Sequence, residues 1–142
     1  MERCVVMKTV LFACVHNAGR SQMAAAWFNR LADPAKARAV SAGTNPGPRV
    51  HPEVVDAMRE EGIDLEGAPT TKLTDELAGE AQMLVTMGCG DECPYVPGVI
   101  RDDWPLHDPK GKPLSEVRAI RDEIRERVRT LIEGEGWTKT PA

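Results

Sequence analysis

The sequence predicts one α/β domain in which a parallel sheet is covered on both faces by helices. Three observations carry that prediction. Thr9–Ala13 and Gln82–Met87 are short, continuous apolar runs of the kind that form strands buried on both faces. Helical stretches alternate with them, most clearly at the end of the chain, where Val117, Ile120, Ile124, Val128, Leu131 and Ile132 recur at helical spacing. The length, 142 residues, suits a single domain with a substantial core. Such alternation implies parallel pairing, with ligands received at the C-terminal ends of the strands.

In order, Thr9–Ala13 is the first and central strand, and a helix from about Gly19 to Leu31 follows it, ending before Asp33-Pro34. Ala37–Ala42 is a second strand, and Gly43 to Pro48 is a loop. His51-Pro52 opens a second helix with proline at its first position; Val55 and Met58 give it an apolar face, and Gly62 stops it. Thr70–Leu73 is a loop, and a short helix spans Thr74 to Gly79. After the strand at Gln82–Met87 come a loop from Cys89 to Pro97, a fourth short strand at Val99–Arg101, and a Pro- and Asp-rich loop from Trp104 to Lys112. The last helix runs from about Ser115 to Glu133 with a charged outer face, Arg118 to Arg129, and a loose tail is expected from Gly134-Glu135-Gly136. The domain core is thus about 8–133, within a single domain over 1–142, with loose termini.

The net charge of −4 offers no basic footprint for nucleic acid, and an aromatic content of 4% offers few stacking platforms. Lys8 interrupts the only leader-like run, no small-residue cleavage site follows it, and no stretch is long enough to span a membrane. A cytoplasmic protein without membrane or nucleic-acid partners is expected. Four cysteines in such a chain point to catalysis, redox chemistry or metal rather than a disulfide framework. Cys4, in a short N-terminal extension, is read as incidental.

The chemistry concentrates in Cys14-Val15-His16-Asn17-Ala18-Gly19-Arg20-Ser21. A strand entering a helix through a tight loop surrounds one concavity with backbone N–H groups, and the positive end of the helix dipole points there. That is a nest for a tetrahedral oxyanion, formed by residues Val15, His16, Asn17, Ala18, Gly19 and Arg20. The reactive form of cysteine is the thiolate, which a helix N-terminus and a neighbouring cation both favour. Arg20 offers a planar fork for two oxygens of a phosphate-like anion, and Ser21 is placed to donate to the Cys14 sulfur. Asn17 holds the shape of the loop. Cys14 as an ordinary buried strand-end residue beside a surface arginine is the plainer alternative.

Cys89 and Cys93 are compatible with buried structural residues, half of a zinc site, or a redox pair. Zinc would need further ligands at regular spacing, and His16, His51 and His107 form no such pattern. On a helical turn, residues four apart have Cα atoms about 6 Å apart, within disulfide range, and a short crosslinked loop is readily reduced. Asp108 before Pro109 reads alone as an Asx-Pro turn; Asp102 and Asp103 are weaker acid candidates.

The Cys14-x5-Arg20-Ser21 loop resembles that of the low-molecular-weight tyrosine phosphatase superfamily. The rest of the chain, from about Lys8 to Glu133, resembles its thioredoxin-coupled arsenate reductase branch through Val40-Ser41-Ala42-Gly43, Val85-Thr86-Met87-Gly88-Cys89 and Trp104-Pro105-Leu106-His107-Asp108-Pro109. The resemblance implies a four-stranded parallel sheet with strand 1 central. It also implies Cys14 as nucleophile, Asp108 as general acid, and a Cys14, Cys89, Cys93 disulfide relay that turns arsenate into arsenite and is regenerated by thioredoxin. No tightly bound cofactor or metal is implied. Members with a structural potassium ion have an acid where Ala25 aligns and an Asp near Lys72; this chain has neither, and the Lys72 ammonium could take the ion's place. Two other readings stand beside the reductase: phosphotyrosine hydrolysis on the same loop, and a non-catalytic arsenic or phosphate sensor. Lys110-Gly111-Lys112 after the Asp-Pro pair, where the phosphatase branch has a substrate-stacking aromatic, and Gly19 in place of a second loop cysteine oppose the first. The lack of a DNA-binding helix or second domain opposes the second.

Overall fold

The computed structural model describes residues 7–87 and 97–139. Its elements are β1 (Lys8–Cys14), α1 (Arg20–Leu31), β2 (Ala37–Gly43), α2 (Pro52–Arg59), α3 (Asp75–Glu80), β3 (Met83–Thr86), β4 (Ile100–Asp103) and α4 (Leu114–Glu135). The strands form one parallel sheet in the order β2-β1-β3-β4. This is the expected four-stranded α/β architecture with strand 1 inside the sheet.

β1 shows why both faces are covered. Val10, Leu11, Phe12 and Ala13 have no exposed surface, and because successive side chains point to opposite faces they divide between two cores. Val10 and Phe12 join the larger core with Met23, Phe28, Val54, Met58, Val117, Ile124 and Val128 from α1, α2 and α4. Leu11 and Ala13 join a smaller one with Leu73, Ala78, Ala81 and Leu84 beneath α3. In the larger core the Phe12 ring lies 6.0 Å from Phe28 and 5.5 Å from Trp104, distances at which aromatic pairs attract.

The local signals act where the sequence places them. Pro52 occupies the first turn of α2, Glu53 adds a carboxylate there, and Gly62 at φ 78° turns the chain away afterwards. Thr74 caps α3, its Oγ1 accepting from Leu77 N at 3.0 Å.

Three expectations are corrected. The fourth strand lies at Ile100–Asp103 instead of Val99–Arg101, so Asp102 and Asp103 belong to the sheet. Their carboxylates are engaged: Asp102 accepts from Asp103 N and Trp104 Nε1, and Asp103 from Thr86 Oγ1 at 2.6 Å. The expected loose tail is instead docked through residue 138. α4 tolerates Gly134 and ends only at Gly136, whose left-handed φ of 76° suits a C-terminal cap. Trp137 then packs 5.8 Å from Phe28, its carbonyl accepts from Asp33 N at 2.8 Å, and Thr138 bridges to Ala32. Finally, the charge run on α4 is not wholly a solvated face. Arg121 is 7% exposed and joins α4 to α2, with Nη1 donating to the Ala57 carbonyl and Glu60 Oε1, each at 2.9 Å.

Trp137→Ala should lower unfolding free energy by about 1–3 kcal/mol in urea titration, the range for removing a packed aromatic that is partly exposed. A second prediction concerns pH. The Glu60 carboxyl is pulled from 4.5 to about 2, chiefly by the hydrogen bond from Arg118. A carboxylate depressed on folding adds stability that is present above its unfolded value and lost as pH falls through the folded one. Stability should therefore decline between pH 4.5 and about 2, and Glu60→Gln should flatten that part of the profile in acid titrations at low salt.

Candidate active site

The anion loop is built by turning its carbonyls outward. The Cys14 carbonyl accepts from Thr44 N at 3.2 Å, Val15 from Asn45 N at 2.7 Å, His16 from Gly47 N at 2.9 Å, and Ala18 from His51 N at 2.9 Å. The Asn17 carbonyl is taken by Gln22 Nε2 at 3.1 Å. A trans peptide holds C=O and the following N–H on opposite sides. Five outward carbonyls therefore aim the N–H groups of Val15, His16, Asn17, Ala18 and Gly19 to the inner side. The concavity sits at the N-terminus of α1, which adds the positive end of a helix dipole. Gly43 makes the close approach possible, since a Cβ there would stand 2.6 Å from the Val15 carbonyl and 2.8 Å from Asn17 N.

Asn17 is the pivot. It is the one non-glycine residue with positive φ among those described, at 50°, a conformation that asparagine tolerates better than most. Its side chain is fully buried and bonded on every side: Nδ2 donates to Ser21 Oγ at 2.7 Å, and Oδ1 accepts from Thr71 N at 2.9 Å and Gln22 Nε2 at 3.3 Å. Because Ser21 Oγ accepts from Asn17, its own hydrogen is free for the Cys14 sulfur 2.9 Å away. Asn17 N donates to the same sulfur at 3.2 Å. Two hydrogen-bonding groups thus converge on one buried sulfur at the floor of the loop.

Arg20 is 7% exposed and reaches across to the loop after β4. Its Nη1 donates to the Leu106 carbonyl at 3.1 Å, and Nη2 lies 3.8 Å from Asp108 Oδ2. Asp108 Oδ1 accepts from Lys110 N at 3.0 Å, the expected Asx turn. His51 stands beside this group at the start of α2. Burial pushes its imidazole below the ordinary 6.5 in spite of the opposing pull of Glu53 and Asp108. Burial thus disfavours its charged form beside Arg20.

Of the residues singled out in the sequence, Cys14, Val15, His16, Asn17, Ala18, Gly19, Arg20, Ser21 and Asp108 come together at one sheet edge. Cys4, Cys89 and Cys93 lie outside the described residues. Lys72 pairs with Gly43 at the end of β2, and its ammonium donates to the Thr44 carbonyl. The residue that sequence reasoning missed is Gln22. It is buried on α1, and its Nε2 also donates to the Pro69 carbonyl at 2.9 Å, tying the Pro69–Thr71 segment to the anion loop. A glutamine on the inward side of an otherwise apolar helix stretch was the available signal. Gln22→Leu should strip the Asn17 and Pro69 carbonyls of their donor, lowering stability by about 1–3 kcal/mol in urea titration. Added phosphate should then stabilise the variant less than it stabilises the parent.

Comparison with known proteins agrees with this geometry. Residues 9–136 match the family described as low molecular weight phosphotyrosine protein phosphatase. The glutaredoxin arsenate reductase of Synechocystis is 36% identical over 129 residues, which cover 89% of this chain and 97% of that protein. An arsenate reductase of Staphylococcus aureus is 35% identical over 123 residues, covering 83% and 91%. The structure of a thioredoxin-dependent arsenate reductase from Corynebacterium glutamicum superposes with a TM-score of 0.78 at 38% identity, over 90% of this chain but 61% of that one. With the match running from β1 into the last turns of α4 and a cysteine-arginine anion loop at its centre, the chain belongs to the low molecular weight phosphotyrosine protein phosphatase family.

Proposed function

We infer that this protein is an arsenate reductase working through Cys14, Cys89 and Cys93, with thioredoxin as the source of electrons. One observation carries the reading: a buried cysteine sulfur, hydrogen-bonded by Asn17 N and within reach of the Ser21 hydroxyl, at the floor of a loop whose carbonyls are all turned outward. The names of the Synechocystis, Staphylococcus and Corynebacterium relatives select arsenate among the tetrahedral anions such a nest would accept.

Arsenate sits in the nest with its oxygens on the N–H groups of Val15 to Gly19 and on the Arg20 fork. The Cys14 thiolate attacks arsenic; an S–As bond forms and an As–O bond breaks, with Asp108 giving the proton that lets the oxygen leave as water. The Cys89 thiolate then attacks the Cys14 sulfur. A Cys14–Cys89 disulfide forms, and the S–As bonding pair passes to arsenic, reducing it from As(V) to As(III), which leaves as arsenite. Cys93 attacks Cys89, frees Cys14, and leaves a Cys89–Cys93 disulfide that a thioredoxin dithiol reduces. The pairing of β3 with β1 supports the choice of this cysteine pair, because it runs up to Thr86 opposite Ala13, and Met87 N donates to the Ala13 carbonyl at 2.7 Å. The second cysteine pair follows that strand in sequence.

A bound potassium ion does not fit these residues. The Lys72 ammonium already engages the Thr44 carbonyl, and Ala25 supplies no carboxylate. No helix among the described residues is long and apolar enough to cross a membrane. A net charge of −4 offers no basic footprint for nucleic acid.

The deciding experiment supplies purified protein with arsenate and either a thioredoxin or a glutaredoxin reducing system, and with an aryl phosphate in parallel. Arsenite formation with thioredoxin is expected. Aryl phosphate turnover without arsenite would move the reading to a phosphatase, and anion binding with neither activity would move it to a sensor. Cys14→Ser should abolish turnover while the fold persists, and Arg20→Lys should be severe because a point charge cannot replace a bidentate fork. Asp108→Asn should slow the chemical step about 100-fold or more, and substitutions at Asp102 or Asp103 should be milder. Peptide mapping after arsenate without reductant should find a Cys14–Cys89 disulfide in Cys93→Ser and about one arsenite per enzyme, as expected when one relay step remains. Cys89→Ser should release little arsenite, and Cys4→Ser should match the parent.

A further inference from the structure

Asp108 faces Arg20 because of two residues that do not react. A Cβ on Gly19 would stand 2.7 Å from Pro109 Cγ and 3.4 Å from Pro109 Cδ, so the proline ring rests against bare backbone of the anion loop. The ring is closed onto its own main chain and cannot swing aside like the end of a flexible side chain. On the other side of the turn, Gly111 N donates to Glu53 Oε1 at 3.1 Å. Gly111 has φ 71°, a left-handed conformation open to glycine. Glu53 lies in the first turn of α2, two residues after His51, whose N–H holds the Ala18 carbonyl. The anion loop and the Asp108 turn are therefore mounted on the same helix end.

We propose that Gly19 and Glu53 are positioning residues for Asp108. The missing side chain of Gly19 gives the Pro109 ring its seat, and the Glu53 carboxylate pins the far end of the turn. Together they set Asp108 facing Arg20 at the mouth of the nest. With the Pro109 ring seated as it is in this chain, a Cβ at position 19 displaces the ring, and with it the neighbouring carboxyl, away from the bound oxyanion. The proposal rests on Asp108 as proton donor, and its test separates the two ideas.

The test is the single-turnover rate of arsenite release and the arsenate concentration giving half that rate, in the full chain. Gly19→Ala and Glu53→Ala should each slow release about tenfold or more with half-saturation little changed, since small misplacements of a reacting group are costly. Glu53→Gln keeps an acceptor and should recover most of the rate. Pro109→Ala combined with Gly19→Ala removes the clash and should do the same. In an Asp108→Asn background, neither Gly19→Ala nor Glu53→Ala should cost more than about twofold, the range expected when both changes act on one step. Parental rates in Gly19→Ala and Glu53→Ala, losses fully retained in the Asp108→Asn background, or failure of both rescues would overturn the seating. A parental rate in Asp108→Asn would overturn the acid assignment instead. If Gly19→Ala fails to fold, as circular dichroism would show, the Glu53 pair decides alone.

Discussion

Peptide planarity is the constraint on which this site depends. Carbonyls cannot be turned out of a tight loop without turning N–H groups in, and the loop from Cys14 to Gly19 exploits that coupling at five successive peptides. The outward carbonyls are not left to solvent. Four of them meet backbone donors of the Thr44 to His51 segment, and the fifth meets Gln22. A buried carbonyl without a donor costs about 1–3 kcal/mol, so the outer ring of hydrogen bonds stabilises the inward ring of N–H groups, one of which, Asn17 N, already meets the Cys14 sulfur. An anion entering such a nest meets dipoles already oriented, which is the condition for strong electrostatic stabilisation.

Sheet topology decides where that loop opens. After β1 the chain passes to β2 on one side and later to β3 on the other, making the C-terminal end of β1 a topological switch point. Connections diverge there and leave a crevice. Cys14 is the last residue of β1, Gly43 closes β2 beside it, and Thr86 ends β3 opposite Ala13. Burial of β1 on both faces holds this arrangement rigid, because two separate cores are anchored on alternate residues of one strand.

Charge is used sparingly and mostly away from the nest. The Glu60, Arg118 and Arg121 group joins α2 to α4, and through α2 it supports the helix end that carries His51 and Glu53. At the site itself Arg20 is the buried cation, while burial disfavours the charged form of His51. A single fixed fork beside a ring of inward N–H groups suits a small tetrahedral anion, which gains its affinity from geometry as much as from charge.

Local patterns determined much of this in advance. An apolar run buried on both faces has no other stable place than inside a parallel sheet, so β1 and β3 were legible from composition alone. Pro52, Gly62 and Thr74 mark helix ends because their own backbone or hydroxyl chemistry does so wherever they stand. The cysteine-arginine loop was legible for the same reason, its spacing being a local property. Long-range pairing was not legible. Gln22 reads as an ordinary helix former until Asn17 and Pro69 are folded against it, and Arg121 as one more surface charge until Ala57 and Glu60 arrive. Gly134-Glu135-Gly136 reads as a breaker, yet the aromatic contact of Trp137 with Phe28, over a hundred positions away, holds the segment down. Gly19 is the sharpest case: in sequence it is merely a residue without a side chain, and only tertiary packing shows that the empty volume belongs to Pro109. Local chemistry is carried by each residue with its neighbours in the chain, whereas the identity of a packing partner exists only once the chain has closed on itself.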